Sequence, residues 1–196
     1  IAWRPNVDRR GNVGATFGGI RQAGFVVRDI RKAMDHWLNV RGCGPFFFID
    51  SMQVRDFTFK GKPSAPDLSI ALVQDGPLQI ELIQQNNDAP SSWRDFLLSG
   101  QEGLQHFAYW TTTFNEHLAL AASRGIDVEM SGRSGRDGAA NERLVYFRHD
   151  GPRGMMIELS EISGPKGALF QQIADAAETW DGTDPIRPMK GPSHDT

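Results

Sequence analysis

The tripeptide Ile-Glu-Leu occurs twice, in Gln79-Ile80-Glu81-Leu82 and in Met156-Ile157-Glu158-Leu159, and each copy closes a β-rich run at the same step of a recurring order of elements. An internal repeat constrains the fold strongly, because neighbouring copies of one supersecondary unit bury their apolar faces against each other. In the first half a β-rich run at Ile20–Val27 leads to Asp29, a residue type suited to start a helix. Ile30, Ala33, Met34, Trp37 and Leu38 then recur at helical spacing until Gly42 and Gly44-Pro45 end the pattern. Extended stretches follow at Phe46–Ile49 and, after a bend, at Val54, Phe57 and Phe59. Two more strands, Leu68–Gln74 and Leu78–Gln84, flank the turn Asp75-Gly76-Pro77.

The order then repeats. Leu104–Trp110 reads as a strand, Phe114–Arg124 as a helix stopped at Gly125, and Ile126–Met130, Arg143–Arg148 and Met155–Ser160 as strands. The expected division is an irregular lead-in over 1–19, a first βαβββ module over 20–85 and a polar linker over 86–103 with a short helix at Ser92–Leu98. A second βαβββ module covers 104–161, and 162–196 forms a C-terminal amphipathic helix (Leu169, Phe170, Ile173, Ala176, Ala177) and a tail. The Gly- and Arg-rich Ser131–Asn141 reads as a flap or binding loop. The fold class is α+β.

Charge excludes some partners. A net charge of −3 over 196 residues gives no basic footprint for nucleic acid and no polybasic face for anionic lipid. With Cys43 alone, no intramolecular disulfide forms, which suits a reducing, cytoplasmic setting and a small-molecule partner.

Strand phase brings chemistry into view. In the opening strand of each half, Gln22 shares a face with Gly24 and Val26, and His106 with Ala108 and Trp110. The closing strands carry Glu81, 59 residues after Gln22, and Glu158, 52 residues after His106. A carboxylate amid apolar strand residues is costly to bury unless paired or bound to a metal. Taken singly, His106 reads as a hydrogen-bonded structural residue and each glutamate as the partner of an arginine. Taken together, two carboxylates, an imidazole and a carboxamide make an N/O set for one divalent ion (Zn, Ni, Mn, Co or Fe). His36, His117, His149 and His194 read as surface.

The chain resembles the vicinal oxygen chelate superfamily, which includes glyoxalase I, methylmalonyl-CoA epimerase, extradiol dioxygenases and fosfomycin- and bleomycin-resistance proteins. The resemblance covers about residues 20–161 and rests on the run Gln22–Ile30, Gly44-Pro45, Gln79–Leu82, Gly103–His106 and Met156–Leu159 in that order. It implies two βαβββ modules cupped as a half-barrel around a metal, with ligands at Gln22, Glu81, His106 and Glu158, and Glu158 and Glu81 catalytic. A homodimer, with the terminal helix in its interface, is also implied. Extradiol dioxygenases place a His where Gln22 stands, so the Gln, Glu, His, Glu order points instead to a glyoxalase-like lyase or an epimerase. The arginines that hold glutathione in glyoxalase I fall at Val26 and Glu102 here. Val26, Phe46, Phe48, Phe57, Trp110 and Met156 are the expected pocket wall, which favours an aromatic or alicyclic substrate, or an acyl thioester, over a small charged one. A non-catalytic binder of the bleomycin-resistance type is the alternative.

Overall fold

Local signals set the elements. The Asp29 carboxylate accepts from the backbone N–H of Lys32 at 3.0 Å, so helix α1 (Ile30–His36) starts where the sequence indicates. It continues through a wider turn at Trp37–Arg41 and stops where Gly42 turns left-handed at φ 66°. Ser91 caps α2 (Ser92–Leu98) through Arg94 N. Helix α3 (Phe114–Ser123) ends just before the left-handed Gly125. Helix α4 (Pro165–Glu178) opens on a proline, whose missing N–H costs nothing in a first turn.

The structure, a computed structural model, describes residues 6–7, 13–14, 16–134, 140–148 and 155–189. Strands β1 (Asn6–Val7) and β2 (Val13–Gly14) pair with each other, within a lead-in the sequence presented as irregular. The remaining strands are β3 (Gln22–Val26), β4 (Phe46–Gln53), β5 (Arg55–Phe59), β6 (Lys62–Pro63), β7 (Asp67–Asp75), β8 (Leu78–Gln85), β9 (Gly103–Thr111), β10 (Val128–Arg133), β11 (Arg143–Phe147), β12 (Met156–Glu161) and β13 (Ile186–Pro188). They form one curved, unclosed sheet in the order β13-β4-β7-β8-β3-β9-β12-β11-β10-β5-β6. Within it, β4-β7-β8-β3 and β9-β12-β11-β10 are the two modules, each with its first and last strands parallel neighbours. They meet at the antiparallel β3–β9 pair.

Three departures from the sequence reading matter. The stretch built on Phe57 and Phe59 does not stay with the first module. As β5 it pairs with β10 of the second (Phe59 with Met130, Thr58 with Ser131), and β6 lies beyond it after a turn in which Lys60 and Gly61 are both left-handed. Part of the expected 131–141 loop is the end of β10, while residues 135–139 lie outside the described residues. The expected tail contains β13, which runs parallel to β4 and pairs Ile186 with Phe46.

Alternation sorts the apolar residues into layers. One cluster fills the outer face of the first module beneath α1 (Ile30, Met34, Phe46, Ala71, Leu82), and another that of the second beneath α3 (Phe114, Ala121, Phe147, Leu159). The third lies inside the cup, where Val26, Phe47, Leu72, Ile83, Trp93 and Tyr146 meet Phe170 and Ile173 of α4. Helix α4 thus packs its apolar face, through Leu169, Phe170, Ile173 and Ala176, against the inner cluster of its own chain. No helix among the described residues is long and apolar enough to cross a membrane.

Ile173 is fully buried against this inner cluster. Ile173→Ala should therefore lower unfolding stability by about 2–5 kcal/mol in urea titration, the usual cost of truncating a large core aliphatic. An unchanged midpoint would mean that α4 does not dock in the cup.

Candidate metal centre

Strand register builds the site. Gly24 on β3 lies opposite Glu81 on β8 and His106 on β9, whereas Gln22 lies opposite Gln79 and Ala108. Ala108 pairs in turn with Glu158 on β12, and Glu158 with Tyr146 on β11. Directly paired residues point to the same face of a sheet. Glu81 and His106 therefore share one rung, and Gln22, Glu158 and Tyr146 the next, on both sides of the junction between the modules.

His106 Nε2 lies 3.5 Å from Glu81 Oε2 and 3.3 Å from Glu158 Oε2. One donor atom from each of the three residues falls within 4.8 Å of the others. The His106 side chain is fully buried, while those of Glu158 and Glu81 are 6% and 16% exposed. Gln22 is buried beside them on the cavity wall; its Nε2 donates to Gln79 Oε1 at 2.9 Å, and its own Oε1 takes no hydrogen bond among the described residues. The imidazole occupies the space above Gly24, where a Cβ would come within 1.9 Å of His106 Cε1. A glycine is required there for close approach, not for its torsion angles.

The imidazole is oriented from behind. Gln105 Nε2 faces Ser92 O at 3.4 Å and Met156 Sδ at 3.3 Å, which turns Gln105 Oε1 toward His106 Nδ1 at 2.8 Å. An amide oxygen only accepts, so Nδ1 carries the proton and the lone pair of a neutral ring sits on Nε2, between the carboxylates. Among the described residues Glu158 Oε2 is buried without a hydrogen-bond partner, a condition that costs roughly 1–3 kcal/mol or more for a charged group. An unsatisfied carboxylate oxygen, a second carboxylate and an imidazole nitrogen directed between them form a donor set that fits a divalent cation.

The charges perturb one another. Burial alone would lower the His106 pKa, but the adjoining Glu158 and Glu81 outweigh it and push the value up to about 9. Burial raises the Glu81 carboxyl, against the pull of His106. Burial would raise Glu158 as well, yet His106, with Tyr146 and Lys166 beyond it, brings Glu158 below its ordinary range. Burial first, then the two glutamates, raises the Tyr146 phenol well above its usual value and keeps it protonated. Its hydroxyl is 3.4 Å from His106 Nε2.

A cavity of about 590 Å³ opens from the cluster and is lined by Gln22, Glu81, Tyr146 and Glu158 together with apolar residues of β4, β7 and α4. None of the six residues expected to form its wall does so. Phe46 and Phe48 point outward beneath α1, because β4 is phased so that Ile49 faces the cavity and Phe47 the inner core. The other four lie on the inner side but are covered. Phe57 stacks behind Trp93 with centroids 5.5 Å apart, Trp110 is capped by Phe170 at 4.6 Å, Met156 contacts Gln105 through its sulfur, and Val26 is wholly buried. Glu102, at the other glutathione position, is paired with Arg28.

Sequence reasoning missed Tyr146 and Lys166, both on the cavity wall. Tyr146 was discoverable as the inward-phased partner of Leu144 on a strand adjoining the second Ile-Glu-Leu; Lys166 carried no signal, since its place depends on how α4 docks. His117, expected at the surface, is half-buried, 2.7 Å from Thr111 Oγ1 and edge-on to Phe17. His149 and His194 lie outside the described residues.

The site has two expected signatures. Gly24→Ala should displace the imidazole, cut bound metal to well below one equivalent by elemental analysis and cost on the order of 1–3 kcal/mol of stability from overpacking. Normal metal content in that variant would place the ion elsewhere. In the chelated protein, the raised His106 pKa stabilises the fold fully below the unfolded value of 6.5, and this contribution disappears as pH rises through about 9. Urea midpoints should therefore fall between about pH 6.5 and 9.5 in the chelated wild type, with a shallower fall in His106→Asn; equal slopes would refute the coupling.

Comparison with known proteins agrees with this architecture. The family model described as the glyoxalase/bleomycin resistance protein/dioxygenase superfamily matches residues 21–147. Among solved structures, methylmalonyl-CoA epimerase from Mycobacterium tuberculosis is similar, with a TM-score of 0.54 at 20% identity, over 79% of this chain and 93% of that one. A variant of the Streptomyces coelicolor methylmalonyl-CoA epimerase, in complex with 2-nitronate-propionyl-CoA, gives 0.51 at 17% identity over 72% and 92%. A hypothetical protein from Bacillus halodurans C-125 gives 0.50 at 17% identity over 73% and 93%. At these identities the likeness is one of fold. No curated protein sequence matches the chain.

Proposed function

This chain belongs to the glyoxalase/bleomycin resistance protein/dioxygenase superfamily, and we propose that it is an enzyme that holds one divalent metal ion through Gln22, Glu81, His106 and Glu158 and moves a proton beside a substrate carbonyl. The reaction class is that of an isomerase or epimerase, or a lyase of glyoxalase type, acting on a small molecule or acyl thioester. The observation that carries the reading is the buried cluster in which Glu81, His106 and Glu158 converge, with Glu158 Oε2 lacking a hydrogen-bond partner among the described residues.

A bound ion would supply Lewis-acid polarisation of the carbonyl oxygen. Glu158, on β12, and Glu81, on β8, flank His106 from opposite modules, so a substrate carbon between them faces a carboxylate on each side. Glu158 takes the proton as principal base through its unpartnered oxygen, and Glu81 faces the other side, where a proton is returned in an epimerisation. Gln22 and His106 hold and orient. The Tyr146 hydroxyl, kept protonated by its surroundings and 3.4 Å from His106 Nε2, is a donor at the edge of the same cluster and would be available to negative charge developing on a substrate oxygen. The methylmalonyl-CoA epimerases among its structural neighbours support a fold able to carry such chemistry. The single imidazole in the cluster gives no support to ring cleavage, which in the dioxygenases of the superfamily uses two.

Elemental analysis, followed by proton–deuterium exchange of carbonyl compounds and acyl thioesters in heavy water, tests the reading. Metal near one equivalent should be found, and exchange should be lost on chelation. Glu158→Gln should reduce exchange at least about a hundred-fold, the range for removing a general base, with melting unchanged. Full exchange in that variant would sink the base assignment. A metal-free protein that binds its ligand tightly and exchanges nothing would favour the sequestering protein.

A further inference from the structure

Lys166 is 91% buried, at the second position of α4, and it lines the same cavity as Glu81 and Glu158. A buried lysine normally has a carboxylate partner. This one has none among the described residues: its Nζ reaches Ser134 Oγ at 2.9 Å, Ser160 Oγ at 3.0 Å and, weakly, Arg143 O at 3.5 Å. The nearby acids are already engaged. Glu161 forms a two-pronged pair with Arg143 at 2.6 and 2.8 Å. Glu142 accepts the backbone N–H of Lys166 at 2.6 Å, in the first turn of α4, where the helix dipole favours a negative charge. Glu81 and Glu158 face His106. The ammonium is left as a desolvated cation on a cavity wall, with no carboxylate at ion-pair distance among the described residues. Burial lowers its pKa, and the surrounding glutamates oppose that shift.

The hydroxyls beside it differ. Ser134 Oγ gives its proton to Glu142 O at 3.3 Å, whereas the Ser160 proton has no acceptor among the described residues. Ser160 stands two residues beyond Glu158 on β12 and on the same face, so the subsite lies about 7 Å from the metal-facing carboxylate at ordinary strand rise.

We infer that Lys166 Nζ and the Ser160 hydroxyl form an anion subsite that binds a carboxylate on the substrate, a few bonds from the carbonyl placed between Glu81 and Glu158. One cation and one neutral donor match the single charge of a carboxylate better than a phosphate dianion, which calls for more donors. The substrate class is thereby narrowed to an acid with an apolar spacer, a charged molecule where the sequence favours an aromatic or alicyclic one. The inference rests on the metal reading only for the position of the ligand's other end.

Two matched probes test it by titration calorimetry, on the metal-loaded full chain and again after chelation: 2-oxoadipate, and 2-oxohexanoate, which replaces the distal carboxylate with a methyl group. Wild type should bind the diacid at least about ten-fold more tightly, equivalent to 1.4 kcal/mol. The preference should vanish in Lys166→Met, which keeps the aliphatic stem, and shrink in Ser160→Ala. Because Lys166→Met removes a desolvated charge, its melting temperature should not fall. Equal affinities in wild type, survival of the preference in both variants, or no binding of the diacid at millimolar concentration would each overturn the subsite. Metal-dependent binding of 2-oxohexanoate without a diacid preference would refute the subsite and leave the metal reading standing. A Lys166-dependent preference that is indifferent to chelation would establish the subsite and refute the metal reading.

Discussion

Two carboxylates and an imidazole held within 4.8 Å of one another inside a protein are stripped of water, and the two carboxylates repel each other. That arrangement is expensive to build, since removing ionised groups from water costs several kcal/mol each unless opposite charge is close at hand. The rest of the molecule makes this concentration of charge sustainable. The parallel β3–β8 and β9–β12 pairs put the two glutamates on neighbouring rungs, and the antiparallel β3–β9 junction brings the halves together between them. Gly24 leaves room for the ring, and Gln105 fixes which nitrogen faces inward. Each feature supports the same few cubic ångströms.

The near-symmetry of the halves explains why the charges converge, and the departures from symmetry explain why the site is usable. Symmetry places Gln22 opposite His106 in role and Glu81 opposite Glu158, giving a pocket that two copies of one unit form at their junction. Two asymmetric elements then finish it. The β5–β6 hairpin leaves the first module and extends the edge of the second. Helix α4 enters the cup, where Phe170 and Ile173 join the inner core. All three residues of the cluster, with the helix beside them, come from one chain.

Much of this was legible in the sequence wherever periodicity or a paired motif carried the signal. The duplicated Ile-Glu-Leu marked β8 and β12 as the matching closing strands, the two-residue period suggested which residues of β3 and β9 share a face, and Asp29 and Ser92–Leu98 located two helix starts. The illegible parts share a physical cause. The run Phe46-Phe47-Phe48-Ile49 is apolar throughout, so nothing in it distinguishes the two faces of β4, and a phase error of one residue exchanges inside for outside. Phe57 and Phe59 announce a strand but not its partner, because pairing is decided by contacts distant in sequence. Ile186–Pro188 lacks strand character and is extended only because the edge of β4 offers it hydrogen bonds. Lys166 looks like any helix-start lysine until α4 is docked.

This last residue alters how the cavity's chemistry is weighed. An apolar wall and a buried triad alone describe a site for a neutral carbonyl compound, oriented by shape. The Lys166 ammonium on α4, beside Ser160 of the strand that carries Glu158, would add direction, since a ligand held at both ends would place only one carbon between Glu81 and Glu158. Proton transfer depends on such placement more than on the intrinsic strength of the base, because an oriented donor and acceptor have already lost the freedom that a free encounter must surrender. On the proposed reading, the asymmetric helix, absent from the duplicated plan, is therefore the element that would distinguish one end of a ligand from the other in an otherwise near-symmetric cradle.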